Sequence, residues 1–233
     1  LIKCLTGVNK MDAGEIFLEG KSIRPTSPQA AIELGISTVF QEINLCPNLT
    51  VAENMFLGRE KVRGVVLNQR EMEAEAAEVL GRLKIDISPR TVVGDLPISK
   101  QQMVEIAKAL SMDARILIMD EPTSALTARE IEDLFRIIRD LRASDHGIVY
   151  ISHRLEELQH IVDRVTIMRD GQYIATMNFA DTTIDQIITY MVGREIKEKF
   201  PRVTCEKGKK IFEVKNLNAG RMVRNVSFSL YEG

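Results

Sequence analysis

Residues 116–127 read Ile116-Leu117-Ile118-Met119-Asp120-Glu121-Pro122-Thr123-Ser124-Ala125-Leu126-Thr127, and this stretch decides the fold. Four apolar residues run without a break and stop at two adjacent carboxylates. An apolar run of that kind suits a parallel strand buried on both faces. Pro122 ends the strand, because it lacks the N–H that a ladder needs. Ligands of α/β sheets bind outside the carboxyl ends of the strands, which is where Asp120 and Glu121 fall. One carboxylate can hold magnesium while its neighbour orients or deprotonates a water, the division of labour that phosphoryl transfer requires. For the stretch taken alone, the less favoured alternative is a strand that ends in two solvated acids.

Working outward, residues 36–40 read as a second strand that delivers Gln41, and residues 147–151 as a third, apolar strand that delivers Ser152-His153. Helices separate the strands. Ser27-Pro28 supplies an N-cap and a first helical residue, and Gly35 a stop. Thr50 and Glu53 have capping-box spacing ahead of Val51, Met55, Phe56 and Leu57. Asn68 opens a helix carrying Met72, Ala76, Val79, Leu80 and Leu83. Ser99 is expected to cap another, with Met103, Ile106, Ala107 and Leu110 on one face. Residues 46–113 thus read as a helical insertion between strands. Thr127 and Glu130 make a further capping box for a helix that buries Ile131, Leu134, Ile138 and Leu141. Residues 14–24 read as a β-hairpin turning at Gly20-Lys21. Later come a helix at 155–162, a strand at 165–168 and an Asp170-Gly171 turn. The helix over 183–192 is expected to turn Ile184, Ile187, Ile188 and Met191 inward and to stop at Gly193. Buried strands alternating with helices mean an α/β layer fold.

Bulk properties narrow the function classes. The 233 residues carry a formal charge of -2, which provides no basic field for a nucleic-acid backbone. Cys4, Cys46 and Cys205 are odd in number and widely spaced, favouring reduced thiols in a cytosolic protein over a disulfide frame or zinc site. No apolar run approaches the roughly 20 residues needed to span a bilayer, so a membrane role requires a partner.

Three strands ending in Gln41, Asp120-Glu121 and His153 converge on one edge of a parallel sheet. The combination is more specific than any member, since a lone strand-end glutamine or histidine is ordinarily structural. At this point the chain resembles the ATP-binding subunit of an ABC transporter, of the tandem-domain type that serves bacterial monosaccharide (ribose/galactose-type) importers. Phe40-Gln41-Glu42 is similar to the Q-loop, residues 96–102 occupy the place of the signature, and residues 116–122 are similar to Walker B and its following glutamate. Ser124-Ala125-Leu126-Thr127 resembles the D-loop and His153 the switch histidine. The phrases at 49–58, 102–108, 147–153 and 191–194 resemble the sugar-import branch.

The resemblance implies a P-loop NTPase-like ABC ATPase core with a parallel sheet, an antiparallel β hairpin and an inserted helical subdomain at about 46–113. It implies ATP and Mg²⁺ as ligands. Asp120 and Gln41 would hold the metal, Glu121 would be the general base, and His153 would hydrogen-bond the γ-phosphate. Residues 1–200 would be a first ABC domain, 201–210 a linker, and 211–233 the opening strands of a second ABC domain. Transmembrane permease subunits would be the partners, with Leu45, Leu49, Val51 and residues 55–57 as candidate contacts. A periplasmic sugar-binding protein would act indirectly. The location implied is the cytoplasmic face of the bacterial inner membrane.

Two departures qualify these expectations. The family's G-x-x-x-x-G-K-[ST] phosphate loop is expected immediately before Leu1, and the 233 residues do not contain it. They are therefore read as a fragment that neither binds ATP tightly nor hydrolyses it. At the signature, L-S-G-G-Q is replaced by Leu96-Pro97-Ile98-Ser99-Lys100, so Ser99 and Lys100 are the candidates left to face an anion. That change implies an asymmetric pair of sites, one hydrolysing and one mainly holding nucleotide. A soluble ABC ATPase of DNA repair or ribosomes, and a non-catalytic binding module, remain alternatives at this level.

Overall fold

A computed structural model describes residues 1–112, 114–193 and 208–232. The apolar runs become a parallel sheet of β3 (Ile36–Val39), β6 (Ile116–Asp120) and β7 (Gly147–Ile151), in the order β3-β6-β7. Alternation along β6 sends successive side chains to opposite faces. Leu117 and Met119 join one core with Val39, Ile106, Leu134 and Ile138. Ile118 joins a second with Ile36 and Ala31, flanked by Ile2, Leu5 and Ile116. Both faces of β6 are therefore covered, as its unbroken apolar run predicts.

The second core is lined by α1 (Ile2–Leu5) and α2 (Pro28–Glu33), the latter capped by the Ser27 hydroxyl with Pro28 in its first turn. Gly7 (φ +69) passes so close to the Ser27 backbone that a Cβ would sit 2.5 Å from its carbonyl oxygen. Between α1 and α2 lies a hairpin of β1 (Ile16–Leu18) and β2 (Lys21–Ile23). Its turn is Glu19-Gly20, both at positive φ, one residue earlier than the sequence predicts. Leu18 pairs with Lys21, so the two left-handed positions needed for a hairpin-compatible turn fall on Glu19 and Gly20.

The insertion between β3 and β6 holds α3 (Val51–Phe56), α4 (Gln69–Arg82) and α5 (Ile98–Leu110), as expected. The Thr50–Glu53 capping box is present at α3, a feature worth about 1 kcal/mol. An unforeseen hairpin of β4 (Val62–Arg63) and β5 (Val66–Leu67) turns at Gly64 (φ +68). Val51, Met55 and Phe56 are buried in the subdomain core, which removes them as partner contacts; Leu57 remains exposed.

After β6, α6 (Ala128–Ala143) starts from the Thr127–Glu130 capping box, and it buries Leu134, Phe135, Ile137 and Ile138. The helix expected over 155–162 is shorter, α7 (Leu155–Leu158). β8 (Arg164–Arg169) folds back through Asp170-Gly171 onto β9 (Gln172–Asn178). α8 (Ile184–Val192) is capped by Thr183 and stopped by left-handed Gly193. Of its expected inward residues Ile187 is fully buried, whereas Met191 is exposed. Residues 194–207 lie outside the described part, and with them Cys205 and most of the expected linker. β10 (Lys210–Ala219) and β11 (Val223–Tyr231) form a two-stranded antiparallel ribbon with Phe212, Phe228 and Leu230 exposed.

Candidate active site

Strand register aligns the polar residues. Val39 pairs with Met119, and Met119 with Tyr150, so Gln41, Glu121 and Ser152 stand at the same level two residues beyond. Gln41 Nε2 donates to Glu121 Oε2 at 3.2 Å. His153 Nδ1 lies 3.1 Å from Glu121 Oε1. Residues 80 positions apart in sequence are thus joined at the carboxyl edge of the sheet. Both oxygens of Glu121 are engaged, while the His153 side chain is 68% exposed.

Glu121 has φ +48, a left-handed conformation that costs a non-glycine residue on the order of 1 kcal/mol. Its amide donates to the Ile151 carbonyl at 2.9 Å, continuing the β6–β7 ladder while the chain bends away. This bend turns Glu121 out of the strand's alternation and towards Gln41 and His153. Asp120 sits beside it on the last strand position. Partial burial raises the Asp120 carboxyl above its ordinary range, and the neighbouring Glu121 carboxyl adds to the shift. Two carboxyls so placed favour a cation. Among the described residues no cluster of three acidic, histidine or cysteine side chains forms a complete metal cage. Magnesium is commonly held by one or two carboxylates supplemented by phosphate oxygens and water.

Ser99 does not cap α5. The helix begins one residue earlier, at Ile98, with Pro97 at the cap position and no side-chain cap. Pro97 has φ -56 and ψ 150 and its side chain offers no acceptor, and Ser99 lies in the first turn. Ser99 and Lys100 instead face Glu130 of α6. Burial pushes the Glu130 carboxyl up, but the Thr127 amide and hydroxyl, the Ser99 hydroxyl and Lys100 outweigh it and hold it below its usual range. Gln41, Asp120, Glu121 and His153 are brought together; Ser99 and Lys100 form a separate group at the meeting of two helix N-termini.

Three supporting residues escaped the sequence. Asn54, fully buried in α3, accepts from the Cys46 amide at 2.7 Å and donates to the carbonyls of Cys46, Leu49 and Thr50, fixing the segment that follows Gln41. Glu105 of α5 is buried under that segment, with the Asn44 amide 3.4 Å from each carboxyl oxygen. Glu105 and Asn44 line a cleft of 170 Å³ that also holds Phe40 and Lys108. Glu157 of α7 is buried behind Glu121 and His153. Asn54 and Glu105 could have been noticed as polar residues on otherwise apolar helical faces. Glu157 carried no such signal, because its neighbour Glu156 is identical and exposed.

Comparison with known proteins follows the same lines. The profile of a family described as ABC transporter matches residues 1–124. A Burkholderia cenocepacia protein provisionally named a ribose/galactose/methyl galactoside import ATP-binding protein is 50% identical over 236 residues, covering 100% of this chain and 46% of that protein. A galactose/methyl galactoside import ATP-binding protein of Yersinia pestis is 47% identical over 235 residues, with the same coverage. The chain spans about half the length of these curated relatives: 46%. A nucleotide-free ATP-binding cassette from an ABC transporter superposes with a TM-score of 0.68 at 25% identity, covering 82% of this chain and 78% of that one. A cassette in its ADP conformation gives 0.69 at 24% identity, covering 83% and 82%, a likeness of fold.

Proposed function

The chain belongs to the ABC transporter family, and on that premise we propose that it supplies the metal-holding and water-activating half of an ATP-hydrolysing site that powers monosaccharide import. The observation that carries this reading is the convergence of Gln41, Glu121 and His153 from three adjacent strand ends, at 3.2 and 3.1 Å. Asp120 and Gln41 would hold Mg²⁺, which when bound neutralises charge on the transferred phosphate. Glu121 would take the proton of the attacking water, which requires it to release Gln41 or His153 first. The exposed imidazole of His153 would then donate to a γ-phosphate oxygen. These are positioning and charge effects, which suit a reaction with no covalent enzyme intermediate.

Ser99 and Lys100, at the start of α5, would serve the nucleotide of a second ABC domain of the same protein. With the signature glycines replaced, that shared site would hold nucleotide more than hydrolyse it. Residues 1–200 would form the first domain, 201–210 a linker and 211–233 the start of the second. The names of the relatives support sugar import, with permease subunits in the membrane and a periplasmic sugar-binding protein as partners. Among the described residues no helix is long and apolar enough to cross a membrane, consistent with a peripheral subunit on the cytoplasmic face of the inner membrane. The 233 residues contain one Gly-Lys-Ser, at Gly20-Lys21-Ser22, and it lies in the β1–β2 hairpin without a glycine five positions before Gly20. On their own they would bind MgATP weakly, which calorimetry on the isolated chain tests directly. In the full-length protein, Glu121→Gln should lower ATP turnover by at least about 100-fold while MgATP still binds; unchanged turnover would overturn the proposal.

A further inference from the structure

Glu157 occupies an unusual position for a carboxyl outside the proposed site: its side chain is 7% exposed. Its Oε2 accepts hydroxyl hydrogen bonds from Thr123 at 3.0 Å, Tyr150 at 2.8 Å and Ser152 at 3.3 Å. Its Oε1 lies 3.0 Å from Arg154 Nη1, near enough for an ion pair though without hydrogen-bond alignment. The three hydroxyls come from two different strand ends. Thr123 follows Glu121 by two residues, and Ser152 precedes His153 by one. The Ser152 oxygen also accepts from the Arg154 amide at 2.9 Å, so the chain on both sides of His153 is tied to it.

We propose that Glu157 is a positioning residue that braces the Glu121 turn against the His153 strand end and so sets the distance between those two side chains. The inference rests on the ATPase reading above for its consequence, but not for its geometry. Glu121 sits in a left-handed conformation that persists only where its surroundings over-determine it. On one side its amide is held by the Ile151 carbonyl. On the other, the turn is pinned through Thr123, which is 2% exposed and has Glu157 as its hydroxyl acceptor. Truncating the side chain to alanine would leave the buried Thr123 hydroxyl and the half-buried Tyr150 and Ser152 hydroxyls without that acceptor, and buried polar groups rearrange to find partners. The turn and the strand end would then move independently, and Glu121 and His153 would lose their fixed separation. A glutamine retains a carbonyl oxygen that can accept at the same place.

Hydrogen exchange on the 233-residue chain tests the brace without nucleotide. In Glu157→Ala the amides of Glu121 and Arg154 should exchange at least tenfold faster than in the parent, with the α4 amides of Val79 and Leu80 within twofold. Glu157→Gln should bring Glu121 and Arg154 back to within threefold. In the full-length protein, Glu157→Ala should lower kcat for ATP at least tenfold with KM within twofold, and Glu157→Gln should restore most of it. Unchanged exchange at Glu121 and Arg154, equal acceleration in α4, or a rise in KM with kcat intact would each overturn the proposal. If Glu157→Ala does not fold, Thr123→Val decides: exchange at Glu121 should rise at least threefold with Arg154 unmoved, and no rise overturns it. Should Glu121→Gln leave turnover intact, the ATPase reading fails, while the exchange pattern still decides whether Glu157 acts as a brace.

Discussion

Behind the His153 side of the sheet edge, Glu157 is met by three hydroxyls and an arginine; behind the Gln41 side, Glu105 is met by one backbone amide at a long 3.4 Å and by Lys108. Both carboxyls are buried, at 6% and 5% exposure. Burial penalises charge unless donors offset it. At Glu105 burial dominates, and the Asn44 amide and Lys108 recover only part of the cost, so the carboxyl is pushed up to about 7. The same burial lowers Lys108, with Glu105 opposing that shift. The two flanks of one edge are therefore built differently. The His153 flank is locked by hydrogen bonds, and the Gln41 flank is held by packing and a carboxyl that titrates near neutrality.

The largest effect that would sharpen this contrast is in the pH dependence of stability. Glu105 titrates at an ordinary 4.5 when unfolded and at about 7 when folded. The folded chain binds the extra proton at Glu105 between those values, so the contribution of Glu105 to stability is greatest below 4.5 and declines as pH rises to about 7. The shift corresponds to about 2 kcal/mol after allowance for solvent screening. Glu105→Gln should abolish that slope in urea denaturations between pH 4.5 and 7. A slope that survives the substitution would break the comparison on the Gln41 side.

A smaller effect belongs to Tyr150. Burial pushes its phenol well above the ordinary range, and the hydrogen bond to Glu157 pushes it further. Above pH 10 the unfolded chain ionises this tyrosine and the folded chain does not, so stability falls with rising pH. Tyr150→Phe should cost about 1 kcal/mol at pH 7 and flatten that alkaline decline. If Tyr150→Phe proves neutral at pH 7, the hydroxyls around Glu157 do not share its load. Smallest of all is Arg154→Gln. Arg154 is 47% exposed, so its ion pair should contribute no more than about 0.5 kcal/mol by chemical denaturation. A larger loss would mean that the His153 flank is held by charge and not by hydroxyl donors.

Much of the architecture was legible because its signals are local. The apolar run at 116–119, the capping boxes at Thr50 and Thr127, and the glycine stop at Gly193 each act within one turn or one strand. The turn at Glu19-Gly20 was displaced by one residue because Gly20-Lys21 and Glu19-Gly20 differ in pairing register, a non-local property. Ser99 was misassigned as a cap because sequence signals fix a helix start only to within a residue or two, and this helix starts at Ile98. The permease-contact candidates Val51, Met55 and Phe56 have the composition of an interface, but composition alone does not separate an interface from a core.

The sequence by itself determined which residues could do the chemistry: acids after a buried strand, a glutamine and a histidine after two others. Local propensity and burial patterning suffice for that, since the polar residues follow within two positions of the last apolar residue of each strand. Tertiary structure alone decided how they meet. The parallel register set Gln41, Glu121 and Ser152 at one level, and the left-handed bend of Glu121 turned it towards Gln41 and His153. It also gave Glu157 three hydroxyl donors and Glu105 one distant amide. Two glutamates of equal chemistry differ because desolvation and hydrogen-bond donors are properties of the packed environment, which residue type does not carry.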